Sequence, residues 1–221
     1  MTPERWKYVG EYSKEVFGQS DAHLAGLMDE AVAAGLPHIS VPADVGRLLM
    51  ILTSLTPGRL AVEVGTLAGY SGIWIARGLA PDGRLITIEY DDKHADFAER
   101  QFELAGLKDR VDVRRGPGLD VLAALVEELP VGSVDVLFLD ATKSEYPDYF
   151  RIARELIAPG GLVLADNVYA TGAGWIDEGH GTDEFNRMMA ADPEFESVAV
   201  PMRQGVMIAR REGSNTHHPV P

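Results

Sequence analysis

Two apolar runs of this 221-residue chain end in acids, and both endings carry polar groups suited to chemistry. Leu137-Phe138-Leu139 leads into Asp140, and Val163-Leu164-Ala165 leads into Asp166 and then Asn167. An apolar strand that terminates in an acid delivers it to the edge where open α/β sheets bind their ligands. If the two strands are neighbours, about 4.8 Å apart, both carboxylates and the Asn167 amide oxygen reach one ion. Such hard oxygen ligands favour Mg²⁺, with Mn²⁺ or Ca²⁺ admissible, and leave positions open for water or substrate. Consecutive strand residues point to opposite faces, so Asp166 and Asn167 share an ion only where the chain has already left strand geometry. Taken singly, these residues fit a plainer reading, with Asp140 as a helix cap and Asp166-Asn167 as a turn. Lys143, three residues past Asp140, belongs to the same edge. Beside a cation and partly desolvated, its charged form is disfavoured, and its pKa falls toward the range of a general base. The plainer reading of Lys143 is an exposed lysine. His23, His38, His94, His217 and His218 fall outside this predicted site, and His180, in a glycine-rich loop, is the one rival base.

A second constellation precedes the first. Val62-Glu63-Val64-Gly65-Thr66-Leu67-Ala68-Gly69-Tyr70-Ser71 reads as a strand turning through glycines into a helix. The dinucleotide fingerprint requires G-x-G-x-x-G, whereas here the spacing is Gly65-x-x-x-Gly69 and Glu63 stands beside the loop. A carboxylate there repels pyrophosphate and suits a phosphate-free, positively charged cofactor such as S-adenosylmethionine. Glu89, at the end of the next strand, is placed to accept hydrogen bonds from a ribose diol. Alone, the glycine turn is a tight connection, Glu63 a salt-bridged loop residue and Glu89 a solvated strand end. Their joint placement favours the cofactor.

The elements that must hold these residues alternate between short apolar runs and helical periodicity from about Gly58 to Gly161, the mark of a Rossmann-like, doubly wound α/β sheet. The predicted strands are Leu60 to Gly65, Arg84 to Tyr90, Val111 to Arg115, Val134 to Asp140 and Leu162 to Asp166, nearly continuous in apolar residues as strands buried on both faces must be. Helical spacing relates Ala98, Phe102 and Ala105. It also relates Leu119, Leu122, Val126 and Leu129, then Tyr149, Ile152, Ala153, Leu156 and Ile157. Stops follow at Gly106, Pro130 and Pro159-Gly160-Gly161. Upstream, Ser40 with Pro42 starts a helix with the stripe Val45, Leu48, Leu49, Leu52 and Leu55, and an amphipathic helix around Asp21 to Ala34 precedes it. Downstream come a helix near Thr182 to Ala191 and the strands Phe195 to Val200 and Gly205 to Arg210, read as an antiparallel pair closing an otherwise mostly parallel sheet. One domain is expected: helices over 1–57, a core over 58–212 and a flexible tail over 213–221.

Composition narrows the function. Acids outnumber bases by 34 to 20, for a net charge of -14, which repels a phosphate backbone and argues against nucleic acid as a partner. With no cysteine, disulfides, thiolate metal sites and cysteine nucleophiles are excluded. No apolar run approaches a membrane span and the first ten residues lack a signal-peptide core, so a cytoplasmic protein without a membrane partner is expected.

These residues together resemble the metal-dependent O-methyltransferases of the caffeoyl-CoA and catechol type, over about Ile39 to Arg210. The resemblance is carried by Glu63-Val64-Gly65-Thr66 with Gly69-Tyr70-Ser71, Glu89, Gly116-Pro117-Gly118, Leu139-Asp140-Ala141-x-Lys143, Tyr146-x-x-Tyr149, Pro159-Gly160-Gly161, Asp166-Asn167 and Gly205-x-x-Ile208-Ala209. It implies a class I methyltransferase fold in which Glu63, Gly65, Thr66, Ser71, Glu89 and Gly118 contact S-adenosylmethionine, with Val41 near its methionine end. It further implies that Asp140 bridges the cofactor and metal regions, that Asp140, Asp166 and Asn167 bind the metal, and that Lys143 is the base. The implied acceptor is a hydroxylated, aromatic small molecule whose neighbouring oxygens chelate the ion, and the implied assembly is a homodimer. Position 118 is Gly where the plant enzymes usually carry Ala, and the loop Ala170 to Gly181 does not match the phenylpropanoid enzymes, so acceptor identity does not carry over. Tyr169 and Trp175 either wall an aromatic acceptor or pack internally. Tyr8, Tyr12 and Phe17 either close the site or pack between subunits. The expectation is methylation of one hydroxyl of a catechol-like or other vicinal diol. The alternatives are a metal-independent O-methyltransferase using Lys143 or His180 alone, a non-catalytic cofactor-binding module, and a NAD-linked oxidoreductase, which the missing third glycine and Glu63 disfavour.

Overall fold

Strands that are apolar on both faces require a helical layer on each side, and the chain supplies both. The computed structural model describes residues 2–179 and 182–213. His180, His217, His218 and the tail from 214 onward lie outside the described residues. In chain order the elements are α1 (Pro3–Phe17), α2 (Ala22–Ala33), α3 (Ala43–Ser54), β1 (Leu60–Val64), α4 (Tyr70–Gly78), β2 (Arg84–Glu89), α5 (Asp92–Leu104) and β3 (Val111–Arg115). They continue with α6 (Gly118–Glu128), β4 (Val134–Leu139), α7 (Tyr146–Ala153), β5 (Ile157–Asp166), the short pair β6 (Ala170–Thr171) and β7 (Gly174–Trp175), α8 (Asp183–Ala191), β8 (Phe195–Val200) and β9 (Val206–Arg211).

The main sheet has the order β3-β2-β1-β4-β5-β9-β8. β1 to β5 are parallel, and β9 inserts antiparallel between β5 and β8. Side chains alternate across the sheet, so its faces feed separate cores. Ala61, Leu85, Phe138 and Leu164 pack with Leu27 of α2, Leu49 of α3, Ile73 and Trp74 of α4 and Phe102 of α5. Val62, Ile88, Leu137 and Val163 pack on the other side with Leu122 of α6, Phe150 of α7 and Phe185 and Met189 of α8. This is the doubly wound arrangement expected. Among the described residues no helix is long and apolar enough to cross a membrane.

Several boundaries differ from the sequence reading. Ile157 is in a strand, not a helix: α7 ends at Ala153, a 3-10 turn spans Arg154–Leu156, and Ile157 pairs with Val134. Pro159-Gly160-Gly161 therefore forms an irregularity inside β5, where the register shifts, rather than a break before it. Pro42, not Ser40, caps α3, and Leu55 lies past the helix end, 77% exposed, instead of completing the buried stripe. The first, second and fourth strands each stop one residue earlier, leaving Gly65, Tyr90 and Asp140 just beyond them.

At the opposite edge of the sheet, buried Asp135 on β4 accepts the backbone N–H groups of Arg59 at 2.6 Å and Leu60 at 3.2 Å, fastening the start of β1. Asp135→Ala leaves both donors without an acceptor, so a loss of about 2 kcal/mol or more is expected, lowering Tm by roughly 4–8 °C for a chain of this size. Thermal denaturation checks this; an unchanged Tm would show that the staple carries no stability.

Candidate active site

Register decides which strand ends meet. Val64 pairs with Leu139 and Leu139 with Ala165, so the residues one step beyond, Gly65, Asp140 and Asp166, stand abreast at the carboxyl edge. The order of the sheet reverses between β1 and β4, which opens a crevice there. A cleft of about 790 Å³ occupies that position. Val41, Gly65, Thr66, Ser71, Glu89, Gly118, Asp140, Lys143 and Asn167 all line it. Glu63 and Asp166 do not: both are fully buried directly behind the lining.

The geometric condition set on Asp166 and Asn167 is met. β5 ends at Asp166, and Asn167 turns into the left-handed region with φ of 62°. Its Nδ2 donates to Gln204 Oε1 at 2.7 Å, an orientation that leaves the Asn167 carbonyl oxygen available at the edge. Neither oxygen of Asp166 accepts a hydrogen bond in good geometry. The nearest cation is the Arg203 guanidinium, with Nη1 at 3.5 Å from Oδ2. Burial, followed by the neighbouring Asp140 charge, pushes the Asp166 carboxyl up to about 6, against the opposing pull of Arg203, Lys143 and the Asn167 N–H. Among the described residues no three His, Cys, Asp or Glu side chains converge on one point, so a metal centre here is two carboxylates completed by an amide.

Lys143 lies on the 3-10 turn after β4, and its Nζ donates to Asp140 Oδ1 at 2.5 Å and to Tyr146 Oη at 2.8 Å. The Tyr146 hydroxyl sits 2.9 Å from Leu139 O and 3.1 Å from Asp166 O and can donate to either. It thereby ties the ends of β4 and β5 together and seats Lys143. Burial and the adjacent acids hold the Tyr146 phenol well above its ordinary value, so it keeps its proton.

At the cofactor end, Glu89 Oε2 accepts from Leu67 N at 2.8 Å and Oε1 from Asp91 N at 3.1 Å. His94 Nδ1 stands 3.6 Å from Glu89 Oε1 and lines the cleft. His94 thus belongs to the cofactor end of the cleft rather than to the Asp140 edge: the first turn of α5 follows β2 so closely that it returns His94 beside Glu89. His23 and His38 do lie outside the lining. Glu63 accepts from Ser71 Oγ at 2.6 Å and Thr87 Oγ1 at 2.6 Å, and Thr87 meets Thr66 Oγ1 at 2.6 Å. Glu63 thus braces the loop from beneath. Gly65, with φ of 103°, leaves no room for a side chain, since a Cβ would meet Asp140 O at 2.3 Å. At Gly118 a Cβ would lie 2.9 Å from both Tyr149 Cε1 and Val64 Cγ1, so a side chain there requires one of these two to shift.

Arg203 and Gln204, in the turn between β8 and β9, also line the cleft, and sequence reasoning missed them. Their local pattern is that of a hairpin turn; only the insertion of β9 beside β5 brings that turn to Asp166. Tyr169 packs internally, its ring against Gly205 and its hydroxyl donating to Ala199 O at 2.9 Å. Trp175 is half exposed and outside the lining, while Thr171 and Gly172 represent this loop in the cleft.

Comparison with known proteins gives a consistent outcome. A family model described as O-methyltransferase matches residues 13–212. A catechol O-methyltransferase of Niastella koreensis is 38% identical, over 91% of this chain and 93% of that protein. Caffeoyl-CoA O-methyltransferase 1 of Eucalyptus globulus is 30% identical, over 78% of this chain and 75% of that protein. The solved O-methyltransferase of Bacillus cereus in complex with SAH superimposes with a TM-score of 0.83 at 34% identity, covering 95% of this chain and 99% of that one.

The buried Glu63 generates a test of its own. Burial raises its carboxyl from 4.5 to about 7, against the Ser71 and Thr87 hydroxyl bonds, so the fold favours the neutral form. Stability from this group is fully present below the unfolded value and is lost as pH rises through the folded one. In cofactor-free protein, wild type should lose stability relative to Glu63→Gln between about pH 5 and about pH 7, by up to roughly 1.4 kcal/mol per pH unit. Denaturant titrations across that range check it; parallel curves for the two proteins would contradict it.

Proposed function

The chain belongs to the O-methyltransferase family and is an S-adenosylmethionine-dependent enzyme of the catechol and caffeoyl-CoA type; on that premise we propose that it methylates one hydroxyl of a small, catechol-like vicinal diol in a divalent-metal-dependent reaction. Asp140, Asp166 and Asn167 would hold the cation, Mg²⁺ before Mn²⁺ or Ca²⁺. The observation that carries this reading is the Asp166 carboxylate, buried beside a second acid with neither oxygen hydrogen-bonded. A buried carboxylate of this kind favours a partner of positive charge. When bound, the cation supplies Lewis acidity that lowers the pKa of a coordinated hydroxyl and fixes two neighbouring oxygens.

The residues of the chain supply the rest. Glu89, tethered by two backbone N–H groups, presents its carboxylate to the ribose end of the cleft. Gly65, Thr66, Ser71, Gly118 and Val41 line the cleft and are the residues that would hold the cofactor, Val41 toward its methionine end. Tyr146 holds Lys143 by one hydrogen bond while Asp140 holds it by another. Lys143 Nζ, seated at the edge by its Tyr146 contact, is the group placed to take the hydroxyl proton. Orientation of the two reactants across one cleft accounts for most of the remaining acceleration. A homodimer is part of the proposal, supported by the exposed Trp6, Tyr8, Tyr12 and Phe17 of α1, which lie outside the cleft lining.

The test is transfer of label from methyl-labelled S-adenosylmethionine to catechol. Chelation with EDTA, or Asp166→Ala, is expected to reduce transfer by about 100-fold or more, while S-adenosylhomocysteine binding changes little. Transfer that survives both treatments would support the metal-independent alternative.

A further inference from the structure

Two carboxylates and two cations close on the same edge: Lys143 is paired with Asp140 and Arg203 with Asp166. The mechanism uses Lys143 and leaves Arg203 without a role. Arg203 lines the cleft beside Asp166, and the polar contacts of its guanidinium are long: 3.5 Å to Asp166 Oδ2 and 3.4 Å to the Ser40 carbonyl oxygen, both from Nη1. Nε and Nη2 make no polar contact among the described residues. The backbone of Arg203 is in the left-handed region, φ 50°, in the turn that β9 carries to the end of β5. The other acids of the lining are committed elsewhere, Glu145 to the Tyr149 hydroxyl and Glu89 to backbone N–H groups at the far end.

The charges of this cluster cancel as they stand, two acids against two bases. Resting on the metal-dependent reading above, a divalent cation on Asp140 and Asp166 takes over the carboxylate oxygens that the two bases now approach and leaves excess positive charge around the acceptor. A sulfonium cofactor adds to it. A singly ionised diol cancels only part of this excess. Arg203 offers a planar fork of donors, the geometry that pairs with carboxylate. Because the guanidinium stands beside the metal-site acid itself, it reaches an anionic group only on the body of the diol or a short arm. A phosphate at the end of a long carrier lies beyond it. With a net charge of -14 the protein repels anions at long range, so a local cation is what admits one.

We propose that Arg203 is a specificity-determining residue that binds an acceptor carboxylate, and that the preferred acceptors are vicinal-diol aromatic acids rather than neutral catechols. The probes are 3,4-dihydroxybenzoate and catechol, measured both by methyl transfer and by calorimetric binding to the protein loaded with Mg²⁺ and S-adenosylhomocysteine. Wild type is expected to favour the acid, and Arg203→Met to lower the ratio of acid to catechol, in kcat/KM and in binding, by about ten-fold or more. Arg203→Lys, which keeps the charge but not the fork, should restore part of the ratio. If Arg203 only neutralises Asp166, Arg203→Met changes the affinity for Mg²⁺ and affects both acceptors equally, and that result overturns the proposal. Equal binding of the two compounds by wild type overturns it as well. Tight binding of the acid with no transfer to either compound, by contrast, speaks against the diol methylation reading and leaves the carboxylate assignment standing.

Discussion

Asp166 takes a carboxylate fully out of water without a hydrogen bond, and the arrangement around it follows from that constraint. A buried charge of this kind must be matched by positive charge or neutralised by a proton. The chain meets the requirement from three sides. Arg203 arrives from the β8–β9 turn, Lys143 from the turn after β4, and Asn167 folds back at positive φ to bring an amide to the same point. No one of these elements is near another in sequence. The parallel pairing of β4 with β5 and the insertion of β9 beside β5 are what bring them together. Tyr146 locks the junction, since its buried hydroxyl contacts the carbonyls of both strand ends and the Lys143 ammonium. An acid left in this state is costly to the fold, which is the expected signature of a site shaped for a ligand rather than for stability.

The cofactor end obeys a related logic at one remove. Glu63 is also a buried acid, but Ser71 and Thr87 hydrogen-bond it, and its task is to brace the glycine turn from below. The turn in turn touches the Asp140 edge: Gly65 passes so close to the Asp140 carbonyl that no side chain fits between them. Cofactor loop and oxygen-ligand edge are therefore one packed unit. A change of register between β1 and β4 would move both.

Much of this was legible in the sequence because its signals are local. Near-continuous apolar runs ending in Glu89, Asp140 and Asp166 identify strands buried on both faces and the edge they serve. The spacing of Gly65 and Gly69 with Glu63 separates this loop from a pyrophosphate site. What was missed depends on contacts between distant segments. Arg203 and Gln204 reach the cleft only through the strand exchange that places β9 beside β5. His94 comes back to Glu89 because one helical turn follows the strand directly, a geometry that its isolated position in the chain does not announce. Ile157 reads as the end of a helix by period, yet pairing with Val134 draws it into β5. In the same way Tyr169 looks available for an acceptor until its packing on Gly205 is seen.

The central claim is that the Asp140, Asp166 and Asn167 edge is a divalent-cation site. Direct titration tests it without reference to turnover: protein treated with chelator and dialysed is titrated with Mn²⁺ in a calorimeter, alongside Asp166→Ala. One saturable site per chain in wild type, lost in the variant while the fold is retained, is the predicted result. The absence of saturable binding in wild type, or equal binding by the two proteins, would contradict the account.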